Sequence, residues 1–343
     1  MTRNIHFVGS IPLEDNEAVF RALAHHIGER SRRYPDGETG KRSYWIRWQQ
    51  QVLNENPQFE PRTASGEFAN FKDKVERPVY YIREGVSHDD LRIENLDYAK
   101  EGIASYQCFS QLKTEGIIPA SVKFQVSLPT PVAFVAGFIG QEHREIVEGA
   151  YETAMKQEID RLVAEIPNDQ LAIQWDVCYE VVGADGGFDL HYENAVDASL
   201  ERLYRLISYV PESVEVGIHL CYGDPGHKHI IEPNDFGTSV AFANGISDNA
   251  PRSVNWIHMP APRDRTDDDY YAPLASLDID PAIELYIGCV HNTDGVEGTL
   301  TRANQAEKQV QGFGVATECG FGRRDPATIP GLFDIHAQVA DQL

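Results

Sequence analysis

Eight short apolar runs, rich in β-branched and aromatic residues and each closing on polar or glycine-containing residues, set the strongest constraint on this chain. They are IHFVGS (5–10), PVYYIRE (78–84), VKFQVSLP (122–129), LAIQWDVC (171–178), VEVGIHLC (214–221), VNWIHMP (254–260), LYIGCVH (285–291) and FGVATECG (313–320). Helical patterns lie between several of them. In residues 142–166, Ile146, Ala150, Ala154, Ile159, Leu162 and Val163 approximate one apolar stripe, and in 197–210 Leu200, Leu203, Ile207 and Val210 repeat it. Alternating strand and helix predicts parallel strands joined by helical crossovers, and about eight units predict closure into an α/β fold, a (β/α)8 TIM barrel. A doubly wound open sheet would alternate as well, but VGSIP after the first run lacks a glycine-rich phosphate fingerprint.

No repeat, low-complexity tract or Pro/Ser linker divides the chain, so residues 1–343 read as a single domain. The stretch 44–116 is the least regular and is expected to be an insertion over one face of the barrel. With 53 acidic against 30 basic residues the formal net charge is −23, which argues against nucleic-acid or membrane-surface partners. The chain shows no run of about 18 apolar residues and no signal-like N-terminus. Five cysteines without a small-domain spacing predict reduced thiols and a cytoplasmic location.

In such a barrel the side chains at the C-terminal ends of the strands surround one pocket. His219 and Cys221 close one run, His258 the next, Cys289 and His291 the one after, and Cys319 the last. His219 and Cys221, at i and i+2, point to the same side of a strand. With Cys319 they offer the three N/S ligands of a catalytic zinc site, where Zn–S is about 2.3 Å, and His258 stands as a candidate fourth. An H-x-C pair alone is more often core packing. Cys108 and Cys178 are assigned to packing, and Cys289 to no single role.

The ordered blocks resemble the catalytic barrel of cobalamin-independent methionine synthase, within the superfamily that includes uroporphyrinogen decarboxylase. VGSIP is similar to that family's IGSFP, DGETGKR to HGE-x-x-R, IQWDVCYE to IQIDEPAL, IHLCYGD to HMCYS, YIGCVHNTDGVE to YDIHSP followed by V-P-S, and VATECGFGRR to VNPDCGLKTR. The resemblance implies a (β/α)8 barrel with zinc at its C-terminal mouth. It makes RRYPDGE (32–38) the second strand and leaves PVYYIRE to an inserted hairpin. It gives His219, Cys221 and Cys319 zinc-ligand roles. It also implies that Ser10, Glu38 and Asp176 hold an amino-acid thiol and that His291 donates a proton, with Asp176 as the other group able to move one. Turn chemistry for Ser10, a solvated loop charge for Glu38 and a strand-end cap for Asp176 remain the structural alternatives.

Two departures point away from methionine synthesis. The family's fourth ligand is a Glu on the sixth strand, where this chain has His258, and Val177 replaces a carboxylate of the substrate site. A folate-type donor is the weaker expectation, because the barrel that precedes the family's catalytic domain is absent from this sequence. The reading is a zinc-dependent methyl- or alkyltransferase that activates a small-molecule thiol, alone, as a homo-oligomer or with a partner subunit. The alternatives are a zinc-dependent lyase or hydrolase, a metal-free decarboxylase and a non-catalytic relative.

Overall fold

A computed structural model describes residues 2–64, 77–226 and 228–343. Seven strands form one parallel sheet: β1 (Arg33–Pro35), β4 (Lys123–Pro129), β5 (Leu171–Val177), β6 (Glu215–Leu220), β7 (Trp256–Pro260), β8 (Glu284–Val290) and β9 (Gly314–Thr317), each paired with the next in that order. The run 5–10 does not form a full ladder. It bridges both edges of the sheet: His6 N–H donates to Val315 O at 3.0 Å, Ile11 N–H donates to Gly37 O at 2.8 Å, and Ser10 bridges Gly37. The sheet is therefore curled, with seven strands and a bridging segment where eight strands were expected.

Outside the sheet, the helix Ile329–Gln342 packs on Asn16–His26, which packs on Tyr98–Thr114, which packs on Arg144–Glu165. Further round, Ala195–Ser208 packs on Gly237–Asn249, and Gly295–Glu307 packs back on Ile329–Gln342. In Arg144–Glu165 the fully buried stripe is Val147, Tyr151, Ala154, Met155, Ile159 and Leu162. Ile146, Ala150 and Val163 only flank it, because Tyr151 stacks on Phe134, with ring centroids 4.0 Å apart, and sets the helix's rotation. The stripe Leu200, Leu203, Ile207 and Val210 is buried as expected.

The remaining strands, β2 (Phe59–Ala64) and β3 (Arg77–Ile82), form a separate antiparallel hairpin, as the second-strand assignment of RRYPDGE required. Residues 65–76 lie outside the described residues. The hairpin docks where Tyr80 O accepts from Gly140 N at 3.0 Å, next to the helix Pro131–Phe138 that leaves the C-terminal end of β4. The inserted segment ends earlier than residue 116. Tyr98–Thr114 belongs to the outer helical layer, burying Ala99, Gly102, Phe109 and Leu112; the charges between those positions obscure its period.

Side chains on the inner face alternate along each strand. At the N-terminal floor Arg33 pairs with Glu215 at 2.6 Å and Glu284 at 3.0 Å while lying 4.1 Å over the Trp256 ring. Gly217 leaves room for that indole, since a Cβ there would come within 1.8 Å of it. One layer up, Gln174 donates to Val8 O at 2.6 Å and to Asp176 Oδ1 at 2.9 Å, and its oxygen pairs with His6 Nε2 at 2.8 Å. A satisfied polar interior of this kind holds the mouth residues above it in fixed positions.

Candidate metal centre

β6 carries His219 inward, and the chain leaving its end carries Cys221. β9 ends two residues before Cys319. The Cys221 and Cys319 sulfurs lie 3.8 Å apart, and the donor atoms of His219, Cys221 and Cys319 all fall within 4.8 Å of one another. Groups from two distant parts of the sequence thus meet at one point, as strand-end position predicted.

The hydrogen bonds fix which nitrogen of His219 is free to act as a donor. His258 Nε2 lies 3.0 Å from Thr317 O; a carbonyl only accepts, so Nε2 carries the proton. Burial holds His258 neutral, down to about 3, so its Nδ1 is bare and accepts from His219 Nδ1–H at 2.7 Å. The remaining His219 nitrogen, Nε2, is then an unprotonated lone pair. It is buried without a hydrogen-bond partner among the described residues. An imidazole oriented through its far nitrogen, with the near one free, is the arrangement metal-binding histidines adopt. Gly288 permits it: a Cβ there would come within 2.8 Å of both His258 Nε2 and Thr317 O.

His258 therefore does not sit as a fourth donor beside the sulfurs. Both its nitrogens are engaged and it stands behind His219. Cys221 is held well above the usual thiol range by its hydrogen bond to Cys178 and by burial, and Cys319 by its hydrogen bond to Cys221 and by burial. Arg323 sits 3.9 Å from the Cys319 sulfur, anchored on Asp224 at 3.0 Å, and supplies a cation for a thiolate.

Across the mouth lies a pocket lined by Glu38, Arg42, Trp45, Trp48, Tyr98 and Ser127. Burial, and after it the neighbouring Asp176, pushes Glu38 up to about 8; burial pushes Asp176 up to about 7, although Gln174 and the Trp45 indole hydrogen-bond it. Glu38 and Trp45 both have left-handed backbone, at φ 48° and 52°. Each such position costs on the order of 1 kcal/mol, and two lining one pocket are a sign of shape imposed by function. Ser10 lies at the seam between the two sides. Its hydroxyl accepts from Gly322 N–H at 3.1 Å and its carbonyl from Phe321 N–H at 2.6 Å, clamping the turn that follows Cys319.

His291 is buried, with Nε2 donating to Ala261 O at 2.9 Å and Nδ1 3.8 Å from Glu318. Glu318 and its partner His229, at 3.1 Å, were not singled out from sequence. Burial opposes a charge on His229, but Glu232 and Glu318 outweigh it and push the imidazole up to about 10. Cys178 was assigned to packing, yet it closes β5 two residues after Asp176 and its thiol meets Cys221. The strand-end rule applied to LAIQWDVC would have found it. Cys289 is fully buried, pushed up to about 12 by burial, and stays a core residue.

Among protein-family models none matches this chain, and no curated protein matches it. Solved structures do. The B12-independent methionine synthase from Shewanella sp. W3-18-1, determined in complex with selenomethionine, superposes with a TM-score of 0.67 at 13% identity, covering 100% of this chain and 97% of that one. The putative vitamin-B12 independent methionine synthase from Listeria monocytogenes gives 0.59 at 13% identity, covering 100% and 99%. At such low identity the likeness is one of fold: the protein is built on the same architecture as these methionine synthases over its whole length.

Proposed function

We propose that the protein is a zinc-dependent transferase that passes a methyl or alkyl group to a small-molecule thiol, on a complete (β/α)8 barrel in which residues 5–10 take the place of the eighth strand. The observation that carries this reading is the donor cluster within 4.8 Å, in which two sulfurs lie 3.8 Å apart beside a histidine whose buried Nε2 has no hydrogen-bond partner among the described residues. Nitrogen and thiol donors in that number suit zinc. His219, Cys221 and Cys319 would hold it, and His258 orients His219 from behind. Bound there, the metal would supply a Lewis acid that lowers a substrate thiol's pKa so that thiolate predominates near neutrality.

The other residues act on the rest of the substrate. Glu38 and Asp176 form a buried carboxyl pair that suits a cationic group such as an ammonium, and binding it would allow both to ionise. Ser10 holds the turn between this pair and Cys319. His291, with its donated proton on Ala261 O and Glu318 at its other nitrogen, is with Asp176 a proton-moving group of the site. Trp45 and Trp48 narrow the pocket and select the alkyl donor. The altered surroundings, with His258 and Val177 where the resemblance has carboxylates, support a substrate other than that of methionine synthase. A cytoplasmic setting is part of this proposal, and a folate is the less favoured of its alkyl donors.

Purified protein is expected to hold about one zinc per chain, and Cys221→Ser to lose it. Candidate thiols should shift the zinc X-ray absorption edge. Zinc retained with no shift for any thiol would turn the reading toward a lyase or hydrolase that activates water; full activity without metal would sink both.

A further inference from the structure

The donor cluster has three protein groups, and the histidine that stands where a fourth was expected is engaged at both nitrogens. A different residue is better placed. The β5–β6 register pairs Asp176 with His219 and Val177 with Leu220. Cys221 N–H donates to Val177 O at 3.0 Å, which carries the ladder one step further and sets Cys178 abreast of Cys221. In a parallel pair, residues of equal register face the same side. Asp176 therefore faces the same side as His219, and Cys178, the first residue beyond β5, lies beside Cys221. Cys178 is only 2% exposed, so its thiol has no solvent role, and it hydrogen-bonds the Cys221 thiol.

We propose that Cys178 is the exchangeable fourth zinc ligand, completing a set of one imidazole and three thiolates. The inference rests on the zinc reading above. Cys178 approaches from the Cys221 side, and a change of its χ1 rotamer, from one staggered well to another, is the movement that would carry its sulfur to the metal. It sits at the junction of β5 with the short helix Tyr179–Ala184, where one side chain can turn without disturbing the sheet. The electrostatics agree. Three thiolates and a neutral imidazole around Zn²⁺ total −1, whereas His219, Cys221 and Cys319 with a neutral fourth group total zero. The extra negative charge restores nucleophilicity to a bound sulfur. When a substrate thiol takes that place, its S–H proton would go to the released Cys178 sulfur, so no external base would be needed.

The test is the ligand count around zinc. Extended X-ray absorption on substrate-free wild-type protein should give three sulfurs and one nitrogen. In Cys178→Ser it should give two sulfurs with zinc still near one per chain, and chelator competition should show affinity lower by tenfold or more. Adding a thiol should leave the wild-type count at three and raise the variant's from two to three. Two sulfurs in the zinc-loaded wild type would overturn the inference and leave the zinc reading standing. No zinc in the wild type would remove both. Because the wild-type count decides the question by itself, a variant that fails to fold does not obscure the result.

Discussion

On the β6–β9 side of the mouth the buried titratable groups are mainly imidazoles and thiols; on the side formed by β1, β5 and the inserted segment they are mainly carboxyls, with Cys178 at the end of β5 beside the thiols. The floor of the barrel differs from both, for there Arg33 is matched by Glu215 and Glu284 and every charge has its partner. At the mouth, the His229–Glu318 pair apart, burial and thiol–thiol hydrogen bonds suppress charge. His219 and His258 fall below the usual histidine range, Cys221 and Cys319 rise above that of thiols, and Glu38 and Asp176 rise to about 8 and about 7. Paired charges at the floor read as architecture; suppressed charges at the mouth are what the proposed function requires, with a soft-ligand metal on one side and an organic cation on the other.

The sharpest way to break this comparison is to remove a donor from each side. Cys221→Ser is expected to take zinc from about one per chain to near none, whereas Glu38→Gln should leave zinc content unchanged. Equal loss from both variants, by metal analysis of folded protein, would mean the two sides are one site. His258→Leu gives the next largest effect. It deprives His219 Nδ1–H of its acceptor, so zinc affinity should fall by about 10–100-fold while saturating metal still fills the site. Complete loss of binding would instead make His258 a direct ligand.

The carboxyl side is sharpened by pH. A carboxyl whose folded value lies above its unfolded value keeps its proton in the folded chain across that window, and ionising it weakens the fold. For Glu38, raised from 4.5 to about 8 by burial and by Asp176, stability should fall as pH rises through that interval and level off above it. The buried imidazoles work in the opposite direction: neutral in the fold, they cost stability as pH falls below 6.5. Glu38→Gln removes only the first effect. Denaturant unfolding should show variant and wild type close together at pH 5 and the variant more stable at pH 9, by on the order of a few kcal/mol.

How far the chain was legible follows from the range of the forces involved. The strands and their polar ends were readable because alternation and β-branching act locally, and strand-end position placed His219, Cys221 and Cys319 together. The shift of the apolar stripe to Val147 and Tyr151 was not readable, because a stacked aromatic from another helix sets the rotation. The orientation of His258 was not readable for a similar reason: residue type and position make it a candidate donor, but the Thr317 carbonyl and the space at Gly288 determine which way its nitrogens point. Glu318 and His229 belong to a contact between β9 and the loop after β6, which no spacing in the sequence announces.

The smallest expected effect concerns Ser10, at the seam between the two sides. If its hydroxyl serves the turn, Ser10→Ala removes only the acceptor for Gly322 N–H. That N–H is partly buried, and the net loss for one neutral hydrogen bond is about 1 kcal/mol. The turn follows Cys319 directly, but Phe321 N–H still donates to the Ser10 carbonyl, which the substitution leaves in place. The sulfur should therefore stay in position, with zinc affinity changed less than by His258→Leu. A small drop in unfolding free energy with near-normal zinc affinity would make Ser10 a hinge pin between the two sides. A larger loss of affinity for a zinc-bound thiol, with stability unchanged, would move Ser10 to the substrate.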